Sequence, residues 1–277
     1  TYVTEMNVSD ITTDDIISAM VGRKIENMYP PRSSRIGEVM LSAEHLTRKD
    51  VFEDISFTLK RGEILGFAGL VGAGRSEIMR SLCGIDPLHE GKIFLEGKEV
   101  KFKNYREAIN SGIMYLTEDR KSEGLFLSMS VMNNISVVDL KRISNGLFLD
   151  EKKEKQLASE YVSKLDIKVS SVEALVSSMS GGNQQKVMVA KWLCNNPKII
   201  IMDEPTRGID VGAKSEIHIL LRNLSEAGVG VIIVSSELPE VMGVCDKIYV
   251  IHEGHLSGSL DAVDFSQEKI MKYASGQ

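Results

Sequence analysis

Short apolar runs alternate along the chain with longer segments whose apolar residues recur at helical spacing. Residues 39–46, 55–59 and 92–102 are rich in branched residues and are bounded by polar turns, as in an antiparallel group of strands. A second set of runs is apolar on both faces, which is typical of buried strands in a parallel sheet. These runs are residues 64–68, 113–116, 198–202, 229–235 and 247–251.

Helical segments lie between these runs in a regular order. Residues 76–82, 105–110 and 213–227 each separate two strand-like runs, which is the pattern of strands covered by helices. A longer polar and helical stretch, about 119–190, interrupts the alternation and contains the clearest amphipathic helix, residues 151–165. The pattern predicts an α/β fold with a mainly parallel sheet core, an antiparallel β subdomain and a helical insertion.

The beginning of the chain resembles its end. Residues 10–22 align without gaps on residues 264–276, and each segment carries a hydroxyl residue at the N-cap position of a short amphipathic helix. The similarity either arises by chance between two short helices or reflects a repeat. If it is a repeat, residues 1–36 are the tail of a preceding copy followed by a proline-containing linker, and residues 37–277 form one complete domain.

The composition fits a globular protein in a reducing compartment. With 277 residues, 43% of them hydrophobic, the chain can bury a full core, and its net charge of −6 argues against broad nucleic-acid binding. Three separated cysteines, Cys83, Cys194 and Cys245, fit buried thiols better than disulfides or a metal site. No apolar run approaches the roughly 18 residues of a membrane-spanning helix, and no secretion signal is recognised. We therefore expect a cytosolic chain that contacts membranes only through a partner.

A glycine-rich turn joins the apolar run 64–68 to the start of a helix. The stretch from Gly69 to Ser76 follows the phosphate-binding pattern G-x-x-x-x-G-K-S/T, in which backbone N–H groups and a helix N-terminus surround an anion. One position departs from it, because Arg75 stands where the pattern has lysine, so that a planar fork replaces a compact ammonium group. The residues predicted to bind a nucleotide here are Gly69, Gly72, Ala73, Gly74, Arg75, Ser76 and Glu77.

An acidic pair ends the apolar run 198–202. Asp203 is suited to hold Mg²⁺ together with the Ser76 hydroxyl, and Glu204 is suited to polarise a water aimed at the terminal phosphate. An acidic pair at the end of a strand also occurs as a plain helix cap. Combined with the phosphate-binding turn, however, the pair favours a magnesium-nucleotide site in which Glu204 is the catalytic residue.

A second glycine-rich element, residues 179–186, precedes a helix that runs to Cys194. Its backbone N–H groups, the Ser180 hydroxyl and the helix dipole again form an anion site, although a loop with a serine cap is the simpler interpretation. One domain has no use for two anion sites on one triphosphate unless one of them faces a nucleotide held by another copy. The residues expected to face outward in this way are Ser180, Gly181, Gly182 and Asn183.

Four segments together resemble the motifs of ATP-binding cassette (ABC) ATPases. Residues 69–76 resemble the Walker A loop, 180–185 the ABC signature, 199–204 the Walker B strand and 205–210 the D-loop region. This order and spacing cover nearly the whole chain from about residue 37. The resemblance implies a P-loop NTPase fold of ABC type that binds ATP and Mg²⁺ and hydrolyses ATP.

A narrower resemblance concerns three further segments. Residues 117–121, 203–214 and 235–241 resemble the second nucleotide-binding half of the tandem ATPases that drive bacterial ribose, galactose and xylose importers. It implies a preceding ABC copy in the same full-length chain, integral membrane permease subunits, and indirectly a periplasmic or extracellular sugar-binding protein, with no nucleic acid. It further implies a position at the cytoplasmic face of the cell membrane, with the permease docking on residues 124–134.

The resemblance also implies roles for three residues outside the phosphate-binding turn. Asp210 in the D-loop region and Ser236 at the switch position are implied to contact the nucleotide. Glu118 at the Q-loop position is implied to contact the metal together with Ser76 and Asp203. These roles join the ones already inferred from the turn and the acidic pair.

Several of these positions carry unusual residues. Glu118 stands where most ABC domains have glutamine, Ser236 where they have histidine and Arg75 where they have lysine. No aromatic residue precedes Phe52 at a place suited to stacking adenine, whereas the signature departs only at Met179, which replaces leucine. We therefore expect this cradle to bind nucleotide and turn it over slowly, while the signature completes a competent site on the preceding copy.

Two other interpretations stay open. The chain could be a soluble ABC-type ATPase or nucleotide-sensing module working in translation or DNA maintenance, or a structural half without turnover. The acidic composition and the segments at 118–121 and 235–240 favour transport. The motifs do not name the sugar, because specificity is expected to lie in the binding-protein and membrane partners.

Overall fold

The computed structural model describes residues 28–32, 35–146 and 148–277. Segment 10–22, which the sequence pairs with residues 264–276, lies outside the described residues. The strands are β1 (Val39–Arg48), β2 (Phe52–Lys60), β3 (Ile64–Gly69), β4 (Glu90–Leu95), β5 (Lys98–Val100), β6 (Ile113–Leu116), β7 (Ser144–Asn145), β8 (Phe148–Leu149), β9 (Ile199–Asp203), β10 (Gly230–Val234), β11 (Lys247–His252) and β12 (His255–Asp261). The α-helices are α1 (Arg75–Leu82), α2 (Tyr105–Asn110), α3 (Val131–Ser136), α4 (Glu151–Lys164), α5 (Gly181–Leu193), α6 (Val211–Glu226), α7 (Leu238–Val244) and α8 (Gln267–Ala274).

A mainly parallel sheet forms the centre of the fold. Within the described part of the chain its strand order is β12-β11-β3-β10-β9-β6, and neighbouring strands are parallel except for β11 and β12. β9 and β10 are buried along their whole length, in keeping with their continuous apolar sequences. The carboxyl ends of β3, β9 and β10 meet at one edge, which is where open α/β sheets bind ligands.

Within the described residues the predicted strands and helices are confirmed, with one addition to the main sheet. β12 follows β11 and pairs with it in antiparallel orientation, whereas the apolar pattern ends the sheet at residue 251. The sequence of β12, HLSGSLD, is mostly polar and partly exposed. A hydrophobic pattern alone does not reveal an edge strand of this kind, because only one side of it meets the core.

A smaller antiparallel sheet of order β2-β1-β4-β5 packs beside the main sheet, as the pattern predicts. Phe57 of β2 meets Phe67 of β3 edge-on, with ring centroids 4.9 Å apart. Ile78 and Met79 of α1 belong to the same buried cluster. Burying these side chains fixes α1, and with it the phosphate-binding turn, against both sheets.

The helical insertion is confirmed as well. It begins with a π-helical turn, Arg120–Gly124, and continues through α3 and α4 to α5. Its residues Ile135, Leu157 and Met188 are buried in one cluster with Met202 of the main sheet. The insertion also contains the short hairpin formed by β7 and β8, which the sequence pattern does not predict because two-residue strands leave no periodic signal.

The proline-containing segment before residue 37 contacts the domain. The Tyr29 ring lies 5.2 Å from the ring of His218, centroid to centroid. The Arg32 guanidinium donates hydrogen bonds to the backbone oxygens of Cys245 and Met242, at 2.9 and 2.5 Å. The domain boundary near residue 37 stays a prediction.

The prediction for the cysteines is confirmed, since Cys83, Cys194 and Cys245 are buried and unpaired. Burial raises the pKa of the Cys194 thiol to about 12, which keeps it protonated and unreactive. No helix in the described ranges is both long enough and apolar enough to cross a membrane.

Candidate functional site

The phosphate-binding turn lies at the carboxyl end of β3. β3 ends at Gly69, and α1 begins at Arg75 with Gly74 as its N-cap. Gly74 has a φ of 99°, a left-handed conformation that favours glycine, and a side chain at Gly69 would collide with the backbone oxygen of Ile251. Glycine at these two positions therefore lets the chain turn tightly and present the N-terminus of α1 to an anion.

A cleft of about 680 Å³ opens at this turn. It brings together the predicted phosphate-binding, metal and catalytic positions from distant parts of the chain. Its walls include Gly72, Ala73, Gly74, Arg75, Ser76, Glu77, Glu118, Asp203, Glu204 and Ser236. Of the other predicted site residues, Gly69 shapes the turn from β3 without lining the cleft, and the signature residues and Asp210 lie outside its described walls.

Asp203, at the end of β9, is 2% exposed. Its Oδ2 accepts a hydrogen bond from the Tyr115 hydroxyl at 2.7 Å, and the Ser76 hydroxyl also interacts with the carboxylate. Burial raises the pKa of the Asp203 carboxyl above its ordinary value, although Tyr115 and Ser76 act to lower it. Its Oδ1 is buried and forms no hydrogen bond of good geometry within the described part of the chain.

The oxygen donors at this point fit Mg²⁺. In nucleotide sites Mg²⁺ is usually held by one or two protein oxygens together with phosphate oxygens and waters. The unpartnered Oδ1 of Asp203 and the Ser76 hydroxyl supply such oxygens, and the described residues contain no larger metal-binding cluster of His, Cys, Asp or Glu. A bound Mg²⁺ would neutralise phosphate charge here.

Glu204 follows Asp203 in a left-handed backbone conformation, with a φ of 46°. Its Oε1 accepts a hydrogen bond from the Ser236 backbone N–H at 2.8 Å and lies 3.8 Å from Nη2 of Arg75. Burial raises the pKa of the Glu204 carboxyl, while Ser236 and Arg75 act to lower it. The carboxylate of the predicted catalytic residue is therefore engaged by two groups of the protein itself.

Arg75 reaches across the cleft from α1. Its side chain is almost fully buried, and Nη1 donates a hydrogen bond to the backbone oxygen of Ser235 at 2.6 Å. Burial lowers the pKa of the guanidinium, and Glu204 and Asp203 counteract that shift. The charged end of Arg75 thus lies at the ends of β9 and β10, between the acidic pair and the Ser236 position.

Glu118 lines the same cleft as Ser76 and Asp203, and its role as a metal ligand stays a prediction. It is also paired with Arg207, whose Nη1 lies 2.9 Å from its Oε1. Both side chains are exposed to solvent. The pair connects the segment after β6 with the D-loop region.

The signature element begins α5 and lies outside the described walls of the cleft. Ser180 is the N-cap residue, but its hydroxyl forms no capping hydrogen bond and accepts one from Nδ2 of Asn183 at 3.0 Å. A plain serine cap, the simpler interpretation of this loop, is therefore not what the side chain does. Gly182 has no room for a side chain because Ala213 of α6 abuts it. Asp210 caps α6 by accepting a hydrogen bond from the Ala213 backbone N–H at 2.9 Å.

Two residues of the site are missing from the sequence-based prediction. Tyr115 orients Asp203, and Arg120 donates hydrogen bonds to the backbone oxygens of Arg207 and Gly208 at 2.7 and 3.1 Å. The only signal for Tyr115 is a hydroxyl-bearing residue in an apolar strand. Arg120 sits in a charged loop, where nothing in the sequence distinguishes a structural arginine from a solvated one.

This turn, the acidic pair on a neighbouring strand, the antiparallel sheet and the helical insertion define a nucleotide-binding domain of the ABC type. The family model described as ABC transporter matches residues 52–207, more than half of the chain. The chain therefore belongs to the ABC transporter family of ATP-binding domains.

Solved structures share this fold. The ADP conformation of MJ1267, an ATP-binding cassette of an ABC transporter, matches with a TM-score of 0.74 and 21% identity, covering 86% of this chain and 99% of that one. A post-hydrolysis dimer of the cassette MJ0796, bound to ADP and Pi, matches with a TM-score of 0.69 and 20% identity, covering 82% of this chain and 100% of that one. At these identities the matches establish the fold alone.

Curated relatives are more similar in sequence. A ribose import ATP-binding protein, RbsA 2, of Agrobacterium fabrum is 46% identical over 99% of this chain and 55% of its own length. A ribose import ATP-binding protein, RbsA, of Bacillus cereus is 47% identical over 99% of this chain and 56% of its own length. The chain thus spans about half the length of the curated relatives it matches.

Proposed function

We propose that this chain is the second nucleotide-binding half of an ATPase that drives the import of a simple sugar, such as ribose or galactose. The relatives are named as ribose import ATP-binding proteins, and the chain matches about half of their length. Half the length is what one copy of a tandem ATPase occupies. The resemblance of residues 10–22 to residues 264–276 supports the same layout, with a preceding copy in the full-length chain.

The position of the Arg75 guanidinium is the observation that carries the proposed mechanism. A competent site needs donors and cations free to stabilise the charge that develops on the transferred phosphate. Here Arg75 donates to the Ser235 carbonyl and lies beside Glu204, which also accepts a hydrogen bond from Ser236. The cradle binds ATP with Mg²⁺ through Ser76 and Asp203, but hydrolysis in it is slow.

The signature serves the nucleotide of the preceding copy. The Ser180 hydroxyl makes no capping hydrogen bond. It lies with the N-terminus of α5 outside this chain's own cleft, and both are suited to a phosphate approaching from another domain. Gly181 and Gly182 present backbone groups at the same helix end, where the Asn183 amide donates to the Ser180 hydroxyl and accepts from the Lys168 backbone N–H. Asp210, the last residue of the D-loop region, caps the adjoining α6 and contacts the nucleotide from this position.

The remaining partners follow from the transport role. Phe126 and Met129 are large apolar side chains that are exposed within residues 124–134, the segment proposed to receive a permease subunit. The chain then sits at the cytoplasmic face of the membrane, and a periplasmic or extracellular sugar-binding protein acts on it only through the permease. No nucleic acid takes part.

Steady-state ATPase measurements test this proposal. The isolated chain is expected to hydrolyse ATP slowly, and the full-length tandem much faster. Equal rates per nucleotide site in the two proteins would contradict the division of labour between the halves.

Co-purification distinguishes transport from a soluble ATPase or sensor. The full-length chain is expected to co-purify with permease subunits, and Phe126→Ser with Met129→Ser is expected to weaken that association without changing nucleotide affinity. Val263→Ser, at an exposed apolar residue outside the segment, serves as the control. A tandem that never associates with a permease would favour the soluble alternative.

A further inference from the structure

The walls of the cleft carry an excess of negative charge. Among the described residues that line it, three are basic and seven are acidic. The basic residues are Arg75, Arg80 and Arg207. The acidic residues are Glu77, Glu118, Asp119, Glu123, Asp203, Glu204 and Glu237. A site for a phosphate chain ordinarily shows the opposite balance, because cations offset the charge of the phosphates.

Each of the three basic side chains is already engaged by the protein. Arg80 donates from Nε to Oδ2 of Asp86 at 3.0 Å, and Arg207 pairs with Glu118 at 2.9 Å. Arg75 donates to the Ser235 carbonyl at 2.6 Å and lies 3.8 Å from Glu204. No lysine lines the cleft within the described ranges. A phosphate that approaches any of these guanidinium groups therefore competes with an oxygen of the protein for it.

The two ends of the cleft offer different groups to a bound phosphate chain. The turn and the start of α1 offer N–H groups to the phosphates nearest α1, and Asp203 with Ser76 would hold a Mg²⁺ ion beside them. Glu204 follows β9 and Ser236 follows β10, and the two residues mark the end of the cleft where a third phosphate would lie. Arg75 stands at that end beside Glu204, and Glu118 lines the same cleft and adds negative charge to it.

We infer that this cleft selects a magnesium-bound nucleoside diphosphate over the triphosphate. The inference rests on the proposed nucleotide-binding function and adds a ligand preference to it. A diphosphate uses the N–H groups of the turn and the metal, and leaves the Arg75 contacts intact. A third phosphate adds negative charge beside Glu204 and Glu118 and has to displace the Arg75 guanidinium from Ser235.

Calorimetric titration of the chain with ADP and with the non-hydrolysable β,γ-imido analogue of ATP, both with Mg²⁺, tests the inference. We expect ADP to bind about fivefold more tightly or better, the size of one close contact between like charges in water. Arg75→Lys and Glu118→Gln are each expected to tighten binding of the imido analogue and leave ADP binding nearly unchanged. Arg61→Lys, at an arginine paired with Glu96 outside the cleft, is the matched control and should keep the wild-type preference.

The outcomes separate the inference from the proposed function. If neither nucleotide binds at millimolar concentration, the proposed nucleotide cradle itself is wrong. If both bind with equal affinity, or the imido analogue binds more tightly, the nucleotide cradle stands and the diphosphate preference is overturned. A preference for ADP that persists unchanged in both cleft variants would overturn the role given to Arg75 and Glu118. Thermal unfolding of each variant shows whether it is folded before it is compared.

Discussion

Arg120 donates a hydrogen bond from Nη1 to the backbone oxygen of Arg207 at 2.7 Å, across 87 positions of sequence. Nη2 donates to the backbone oxygen of Gly208 at 3.1 Å, and Nε lies 3.4 Å from Oε1 of Gln184 on α5. One guanidinium therefore joins the segment after β6 to the D-loop region and to the signature helix. These are the parts that face another copy in the proposed function.

Removing this guanidinium should loosen the D-loop region. Arg120→Ala is expected to lower the free energy of unfolding by about 2 kcal/mol, since charged hydrogen bonds to two carbonyls are lost. Faster hydrogen exchange is expected at the backbone amides of residues 205–210. Arg120→Lys, which retains the charge but only one donor group, should fall between alanine and wild type. Exchange rates that do not change at 205–210 would show that other contacts hold this loop.

The metal position can be tested by separating the two members of the acidic pair. Mg²⁺ is expected to raise the affinity for ADP, and Asp203→Ala should reduce that gain at least about tenfold, because a proposed direct ligand of the metal is lost. Glu204→Gln should alter that gain much less. The Glu204 carboxylate is engaged by Ser236 and Arg75 and is not a proposed ligand of the metal. Titrations with Mg²⁺ and with EDTA measure the gain. A larger effect of Glu204→Gln would exchange the roles of the two residues.

Restoring lysine at position 75 should not produce a fast ATPase. Stabilising the transition state needs several groups acting together, and Arg75→Lys leaves Ser236 and Glu118 unchanged. We expect the turnover of the isolated chain to stay within about threefold of wild type, even though its nucleotide preference changes. Phosphate release under saturating ATP provides the measurement. A rate gain of orders of magnitude would mean that lysine alone was missing.

A buried pair, Glu240 of α7 and His218 of α6, makes the free energy of unfolding depend on pH in the acid range. Oε1 of Glu240 lies 2.9 Å from Nε2 of His218, and both residues are almost fully buried. Burial by itself raises the pKa of Glu240, but hydrogen bonds from His218, Ser235 and Thr206 outweigh it, and the pKa falls below its ordinary value of 4.5. The folded pKa is thus lower than the unfolded one, so the ionised carboxylate stabilises the fold above pH 4.5. That contribution is lost as the pH falls through the folded pKa.

Glu240→Gln should therefore destabilise the chain in a pH-dependent way. Near neutral pH we expect a loss of about 2 kcal/mol in the free energy of unfolding, the usual scale for a buried charged hydrogen bond. The difference from wild type should shrink once the pH falls below 4.5 and wild-type Glu240 takes up its proton. Urea unfolding at a series of pH values measures this, with Glu99→Gln on the exposed β5 as control. A difference that stays constant across the series would assign the loss to packing.

The sequence predicts those parts of the site that a short stretch of chain forms alone. Gly69 to Ser76 carries its own turn and helix start, and Asp203 with Glu204 follows an apolar run that is typical of a buried strand. Tyr115 and Arg120 escape prediction because their partners come from distant segments, and hydrogen bonds between distant segments leave no local pattern.

The orientation of the Arg75 side chain also escapes prediction, because it depends on a contact with a distant segment. Its sequence position predicts a side chain at the phosphates, whereas its direction depends on the free carbonyl of Ser235 at the end of β10. β12 shows the limit of hydrophobic patterning in the fold, since an edge strand that meets the core on one side reads as polar.

Substitutions in the signature test which half of the full-length tandem holds the site that hydrolyses ATP. In the full-length tandem, Ser180→Arg is expected to remove most of the turnover by placing bulk against the γ-phosphate held by the preceding copy. Losing a preorganised donor at a working site costs about 2.7 to 4 kcal/mol, or a factor of about 100 to 1,000 in kcat. Arg75→Ala in the same tandem should cost far less, because in the proposed function it alters the cradle that turns over slowly.

Two companion variants sharpen this comparison. Gly181→Asp is also expected to abolish most of the turnover, but a side chain there would come within about 3 Å of Nη2 of Arg120, so part of its effect would be local rearrangement. Ser180→Ala, which removes only the hydroxyl, separates loss of a donor from added bulk and should reduce kcat less than Ser180→Arg. Steady-state ATPase rates of the four variants, measured side by side at saturating ATP, give the ranking. If Arg75→Ala is the most damaging of them, the working site lies in this chain's own cleft and not on the preceding copy.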